Sequence, residues 1–170
     1  MTLATHAIVG AAVISFIPSY PILGVVLAFG SHLLIDAIPH YDYTIHSASV
    51  HPQIGAKMKF DKALLADVLS IGFDGLAGFL LAFLFFHRLH ITELILVGAF
   101  FGMLPDALQF VYGHFKHEPL VTLQRFHEWI HSKNHLEEHP ERKWPAIGSQ
   151  VLFVFLVVFV TLTIHTYFLQ

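Results

Sequence analysis

Apolar residues fall into five long runs along the chain, with polar residues gathered between them. The runs cover about 3–17, 21–38, 63–86, 91–112 and 147–168. Crossing the hydrocarbon of a bilayer takes roughly 20 mostly apolar residues in a helix, so each run is expected to be a span. The first is short and is closed by Pro18-Ser19-Tyr20-Pro21, and the second stops at Pro39, because proline breaks a helix and restricts the residue before it. The fifth is apolar all the way round, the pattern of a lipid-facing or packing helix. No Lys or Arg precedes the first run and no small-residue cleavage pattern follows it, so a signal peptide is not expected.

A different pattern occupies 119–138. Leu120, Leu123, Phe126 and Ile130 recur at helical spacing, with Pro119 at the start and Pro140 just beyond the end. This predicts an amphipathic helix lying in the membrane interface rather than crossing it. The other polar stretch, Tyr41 to Phe60, has no clear period and is expected to be irregular. The fold class expected is therefore all-α: one integral membrane domain over 1–170, with five transmembrane helices and one interfacial helix.

Composition sharpens this picture. Hydrophobic residues make up 55% of the 170 and charged residues 12%, about half the charge of an average soluble domain. The absence of cysteine excludes disulfides and thiolate metal sites. A formal net charge of −3 offers no basic surface for nucleic acid. Five spans put both long polar segments, Pro39–Lys62 and Gly113–Ala146, on the side of the N-terminus. That side carries Lys57, Lys59, Lys62, Lys116, Arg125, Lys133, Arg142 and Lys143, against Arg88 alone on the other. The positive-inside rule then places the N-terminus and the long loops in the cytoplasm and the C-terminus outside, in the cytoplasmic membrane of a prokaryote.

The chemistry lies in ionisable residues inside apolar runs, where each costs about 2.5–3.5 kcal/mol on insertion scales. His32 and Asp36 are four residues apart, on one face of the second span, and His40 and Asp42 follow at its end. His6 lies near the start of the first span, Asp74 in the third and Asp106 in the fourth. At about 1.5 Å per residue, these groups fall in the inner half of the membrane. A common depth has no purpose in mere helix gluing and suits a shared metal site. In the interfacial segment, His127, His131 and His135 are spaced by four along one face. His127-Glu128-x-x-His131 also fits the zincin pattern, two ligands and a glutamate base. Of the 14 histidines, only His87, His90 and His165 sit near the outer face.

Imidazole and carboxylate ligands suit zinc first, with manganese or iron as alternatives, and the candidates are enough for one to three ions. The metal ligands expected are His6, His32, Asp36, His40, Asp42, Asp74, Asp106, His127, His131 and His135, with Glu128 or Asp74 as proton acceptor. Metal-activated water cleaving a phosphoester of a membrane lipid or lipid-linked substrate at the cytoplasmic leaflet is the leading functional reading. A membrane zinc metalloprotease using the His127–His131 motif, and a metal or proton transporter, are the alternatives.

His6 with Gly10, Ser31-His32-Leu33-Leu34-Ile35-Asp36, Pro39-His40-x-Asp42 and Leu104-Pro105-Asp106 resemble the YdjM-like family of membrane-bound metal-dependent hydrolases. The resemblance implies a multi-spanning helical fold with His6, His32, Asp36, His40, Asp42 and Asp106 as ligands. It also implies a remote likeness to the zinc-dependent phospholipase C and P1 nuclease group.

Overall fold

In the computed structural model, which describes all residues except 43–44, 52–54, 59–60, 132–139 and 169–170, six helices form the frame. They are α1 (Leu3–Ser15), α2 (Pro21–Asp36), α3 (Lys62–Phe86), α4 (Thr92–His114), α5 (Leu120–Ile130) and α6 (Lys143–Phe168). Each boundary has a local cause. The Thr2 side chain caps α1 by accepting from the Thr5 amide, Pro21 opens α2 at its first turn, and Asp61 caps α3 through the amides of Ala63 and Leu64. α2 ends at Asp36, three residues ahead of Pro39. These are the usual roles of hydroxyl and carboxylate caps and of proline at a helix start.

Three helices are long and apolar enough to cross a membrane: α3, α4 and α6. Their outward faces are apolar and exposed, with Leu76, Leu80 and Leu84 on α3 and Leu152, Phe155 and Phe159 on α6, as a lipid solvent requires. α1 and α2 are shorter, 13 and 16 residues, or about 20 and 24 Å at 1.5 Å per residue.

α1 is the spine of the bundle. Ala7, Ile8, Ala11, Ala12 and Ile14 are buried, and α2, α3, α4 and α6 all pack on it. Small residues allow this crowding. A Cβ added at Gly102 would lie 2.4 Å from the His6 carbonyl oxygen, and one at Gly10 would lie 2.3 Å from that of Gly98. α1 and α4 therefore touch backbone to backbone, the small-residue packing that membrane helices use.

Two expectations are corrected. Tyr41 to Phe60 is not wholly irregular: β1 (Ala48–His51) pairs antiparallel with β2 (Gly55–Met58), in the register Ala48↔Met58 to His51↔Gly55. Strands of four residues are too short to display a two-residue period. The α5 helix stops at Ile130, where the 119–138 pattern predicted a longer one. His131 already has ψ of 138°, an extended backbone that ends the helix, and 132–139 lie outside the described residues.

Candidate metal centre

One carboxylate organises the site. Asp36 closes the last turn of α2, and its helical neighbour His32 brings Nε2 to 3.1 Å from Oδ2. From α1, His6 brings Nε2 to 3.1 Å from Oδ1 and stacks on His32 with ring centroids 3.8 Å apart. From α5, His127 Nε2 bonds Oδ2 at 3.1 Å. His40, just past Pro39, lies 3.7 Å from Oδ1. Asp106 of α4 completes this side, with Oδ1 3.5 Å from His32 Nε2. Four helices thus converge on one buried carboxylate.

The potential ligand atoms fall into two groups. His32, Asp36, Asp106 and His127 each offer one atom, all within 4.8 Å of one another, and so do Asp36, His40 and His131. Asp36 belongs to both. Asp42 lies beside the second group, its Oδ2 3.0 Å from His40 Nε2 and 3.2 Å from His131 Nε2. These groups could hold metal ions.

The donor set fits a cation on chemical grounds. His32 Nδ1 donates to the Gly102 carbonyl at 2.8 Å, and His40 Nδ1 donates to the Ile38 carbonyl at 2.6 Å. Carbonyls only accept, so Nδ1 carries the hydrogen in each ring, and the Nε2 of a neutral imidazole is left as a lone pair. Those lone pairs face carboxylates, which also only accept. A positive centre has to stand between them, either a second proton or a metal ion. The same backbone bonds are how metal-ligating histidines are held in the ligating tautomer. His32 Nε2 and both ring nitrogens of His6 are buried with no partner of hydrogen-bond geometry among the described residues.

A cation already occupies the centre's edge. The Met1 ammonium lies 2.7 Å from Asp36 Oδ1 and 3.0 Å from Asp42 Oδ1. Burial works against its charged form, but Asp36 and Asp42 outweigh burial and raise its pKa above the ordinary amine value. Asp42 shows the complementary effect. Burial opposes its charge, yet hydrogen bonding to His131 and His40 holds the carboxyl below the usual range.

Of the residues expected at the site, His6, His32, Asp36, His40, Asp42, Asp106, His127 and His131 are brought together. Asp74 is not with them: its Oδ2 accepts the Ala4 amide at 2.9 Å, so it ties down the first turn of α1. Depth along α3 was legible, but the direction of the side chain around the helix was not. Glu128 is exposed and accepts from Gln124 at 3.2 Å, because it follows inward-facing His127 by one residue, about 100° round the helix. His127 and His131 serve different groups, so they do not form the two-histidine grip of a zincin. His135 lies outside the described residues. Gln150 of α6 was missed: it accepts from the Thr2 amide at 3.3 Å and donates to the Tyr41 carbonyl at 2.9 Å. A lone buried amide in an apolar span was the available signal.

Compared with known proteins, the chain matches no family model, no curated protein and no solved structure.

Proposed function

We propose that this membrane protein is a metal-dependent hydrolase that cleaves a phosphoester of a lipid or lipid-linked substrate at the cytoplasmic leaflet. The observation that carries the reading is the sharing of Asp36 between two adjacent groups of ligand atoms, the arrangement that a bridging carboxylate gives a pair of ions. Zinc suits the His and Asp donors best. Two such ions supply hydroxide at neutral pH and clamp the attacking and leaving oxygens of a phosphoester. In this reading α1 and α2 form a hairpin that crosses with α3, α4 and α6, making five spans. The excess of Lys and Arg sets the N-terminus and long loops in the cytoplasm. The short motifs shared with YdjM-like hydrolases support the same assignment.

The chain's own residues divide the work. Asp36 neutralises charge between the two ion positions, and His32 and His127 hold one position while His40 and His131 hold the other. His6, stacked on His32 and 3.1 Å from Asp36, fixes both. With Glu128 and Asp74 turned away, Asp42 and Asp106 are the site carboxylates open to solvent, at 28% and 30% side-chain exposure, and proton transfer falls to them. The protease alternative loses its base with Glu128. A transporter needs a path to both faces, and the ionisable groups cluster at one end of the bundle.

The test is elemental mass spectrometry of the detergent-purified protein, with hydrolysis of phospholipids and lipid-linked phosphates followed by mass spectrometry. Tightly held zinc, and activity lost with a chelator and in Asp36→Ala, are expected. Unchanged metal content and activity in both His32→Ala and Asp36→Ala would overturn the reading.

A further inference from the structure

On the other side of α1 from the metal centre, α3 and α6 both pack on α1 and hardly on each other. The gap between them is a groove of about 280 Å³, walled by Ile8 of α1, Leu81 and Phe85 of α3, and Val151, Val154 and Phe155 of α6. No charged residue lines it. Val151 and Phe155 are exposed, so the groove opens onto the same apolar surface that faces lipid. One end is polar, and that end adjoins the metal centre. Thr2 and Gln150 line the groove there and bond each other. Gln150 reaches on to the Tyr41 carbonyl, one residue from Asp42, and the Met1 ammonium beside Thr2 touches Asp36 and Asp42.

We propose that this groove holds the apolar chain of the substrate, with its phosphate head lying over the Thr2–Gln150–Tyr41 strip at the Asp36 centre. The inference rests on the hydrolase reading and names the substrate class: an amphiphile with a single long hydrocarbon chain seated beside a phosphoester. The pairing of chemistries is the argument. An uncharged furrow continuous with the lipid-facing surface suits a hydrocarbon tail, as apolar ligand pockets with a few polar groups at one end generally do. A metal-loaded centre at its polar end suits an anionic head. Ordinary bilayer lipid could fill the furrow but has no reason to be held there by its head.

A hexadecylphosphonate with a diazirine in mid-chain is the probe, since it presents the head and tail but cannot be hydrolysed. Crosslinks formed in the zinc-loaded full-length protein are mapped by peptide mass spectrometry. Saturable labelling of 147–155 and 81–85 is expected. It should be competed by unlabelled hexadecylphosphonate and not by hexadecanol, and reduced at least tenfold in Val154→Trp and in Ile147→Trp, with metal content in both variants unchanged. Labelling spread evenly over the lipid-facing helices, competed equally by hexadecanol, or unaffected by both tryptophans would overturn the groove. Hydrolysis of a water-soluble phosphoester, measured in parallel, reports on the hydrolase reading alone. Cleavage without groove labelling sinks the groove and leaves the enzyme; groove labelling without cleavage of any phosphoester does the reverse.

Discussion

Asp36 sits among four imidazoles, three of them with Nε2 at 3.1 Å and the fourth at 3.7 Å. A buried carboxylate with that many acceptor-capable neighbours stabilises a folded chain only when positive charge joins them, because unpaired buried charge costs several kcal/mol. The residues around it should therefore have graded effects on metal content. His40→Ala, confined to the second group, is expected to lose one of two ions, while Asp36→Ala loses both; elemental analysis of the two variants distinguishes them. Equal stoichiometry in both would mean that Asp36 does not bridge. Asp74→Asn gives the contrasting case. It weakens a charged acceptor on the Ala4 amide, a bond of about 1.5–3 kcal/mol, so the thermal midpoint should fall by several degrees while both ions stay bound. Glu128→Gln should change neither metal content nor stability, given its exposed position.

At the scale of elements, the centre depends on how closely α1 and α4 approach. Gly102 supplies the carbonyl that orients His32, and its missing side chain leaves room for the His6 carbonyl. Gly102→Ala therefore pushes on both ligand-bearing turns at once. Overpacking of this kind costs about 1–3 kcal/mol, so a thermal midpoint lowered by roughly 3–10 °C and loss of metal are expected together. Gly30→Ala on α2 is the control, since a Cβ there meets nothing within 4 Å. This dependence also shows what the sequence could reveal. His32 and Asp36 were legible because four residues on one helix fix their relation without any tertiary knowledge. His6, Asp106, His127 and His131 were legible by depth or by face. Asp74 and Glu128 were not, since their roles depend on rotation of α3 and α5 about their own axes, which only packing decides. The backbone contact of Gly102 with His6 left no mark beyond a glycine in an apolar run. The β1–β2 pair was hidden by its shortness.

For the whole molecule, the open question is whether the α1–α2 hairpin reaches the far face. Its helices measure about 20 and 24 Å by rise per residue, against roughly 30 Å of hydrocarbon. Local thinning and tilt can absorb such a mismatch at a fraction of a kcal/mol per ångström. The contacts of α6 set the hairpin's height. Thr2 meets Gln150 at one end of α1, and Ser15 Oγ lies 3.1 Å from His165 Nε2 at the other. Phe16 stacks on the same His165 ring, with centroids 5.5 Å apart. His165 is within one turn of the end of α6 at Phe168, so the hairpin's turn stands level with the outer end of a helix long enough to cross. The exposed Tyr20 then lies at the water interface, where tyrosine is favoured. Because the chain has no cysteine, single introduced cysteines can test this with a membrane-impermeant maleimide. Ser19→Cys and Arg88→Cys should react from outside intact cells, and His117→Cys only after permeabilisation. A Ser19→Cys that resists the reagent from both sides, while Arg88→Cys reacts, would place the turn inside the hydrocarbon. The hairpin would then be a re-entrant element carrying half of the metal centre, and α3, α4 and α6 alone would cross.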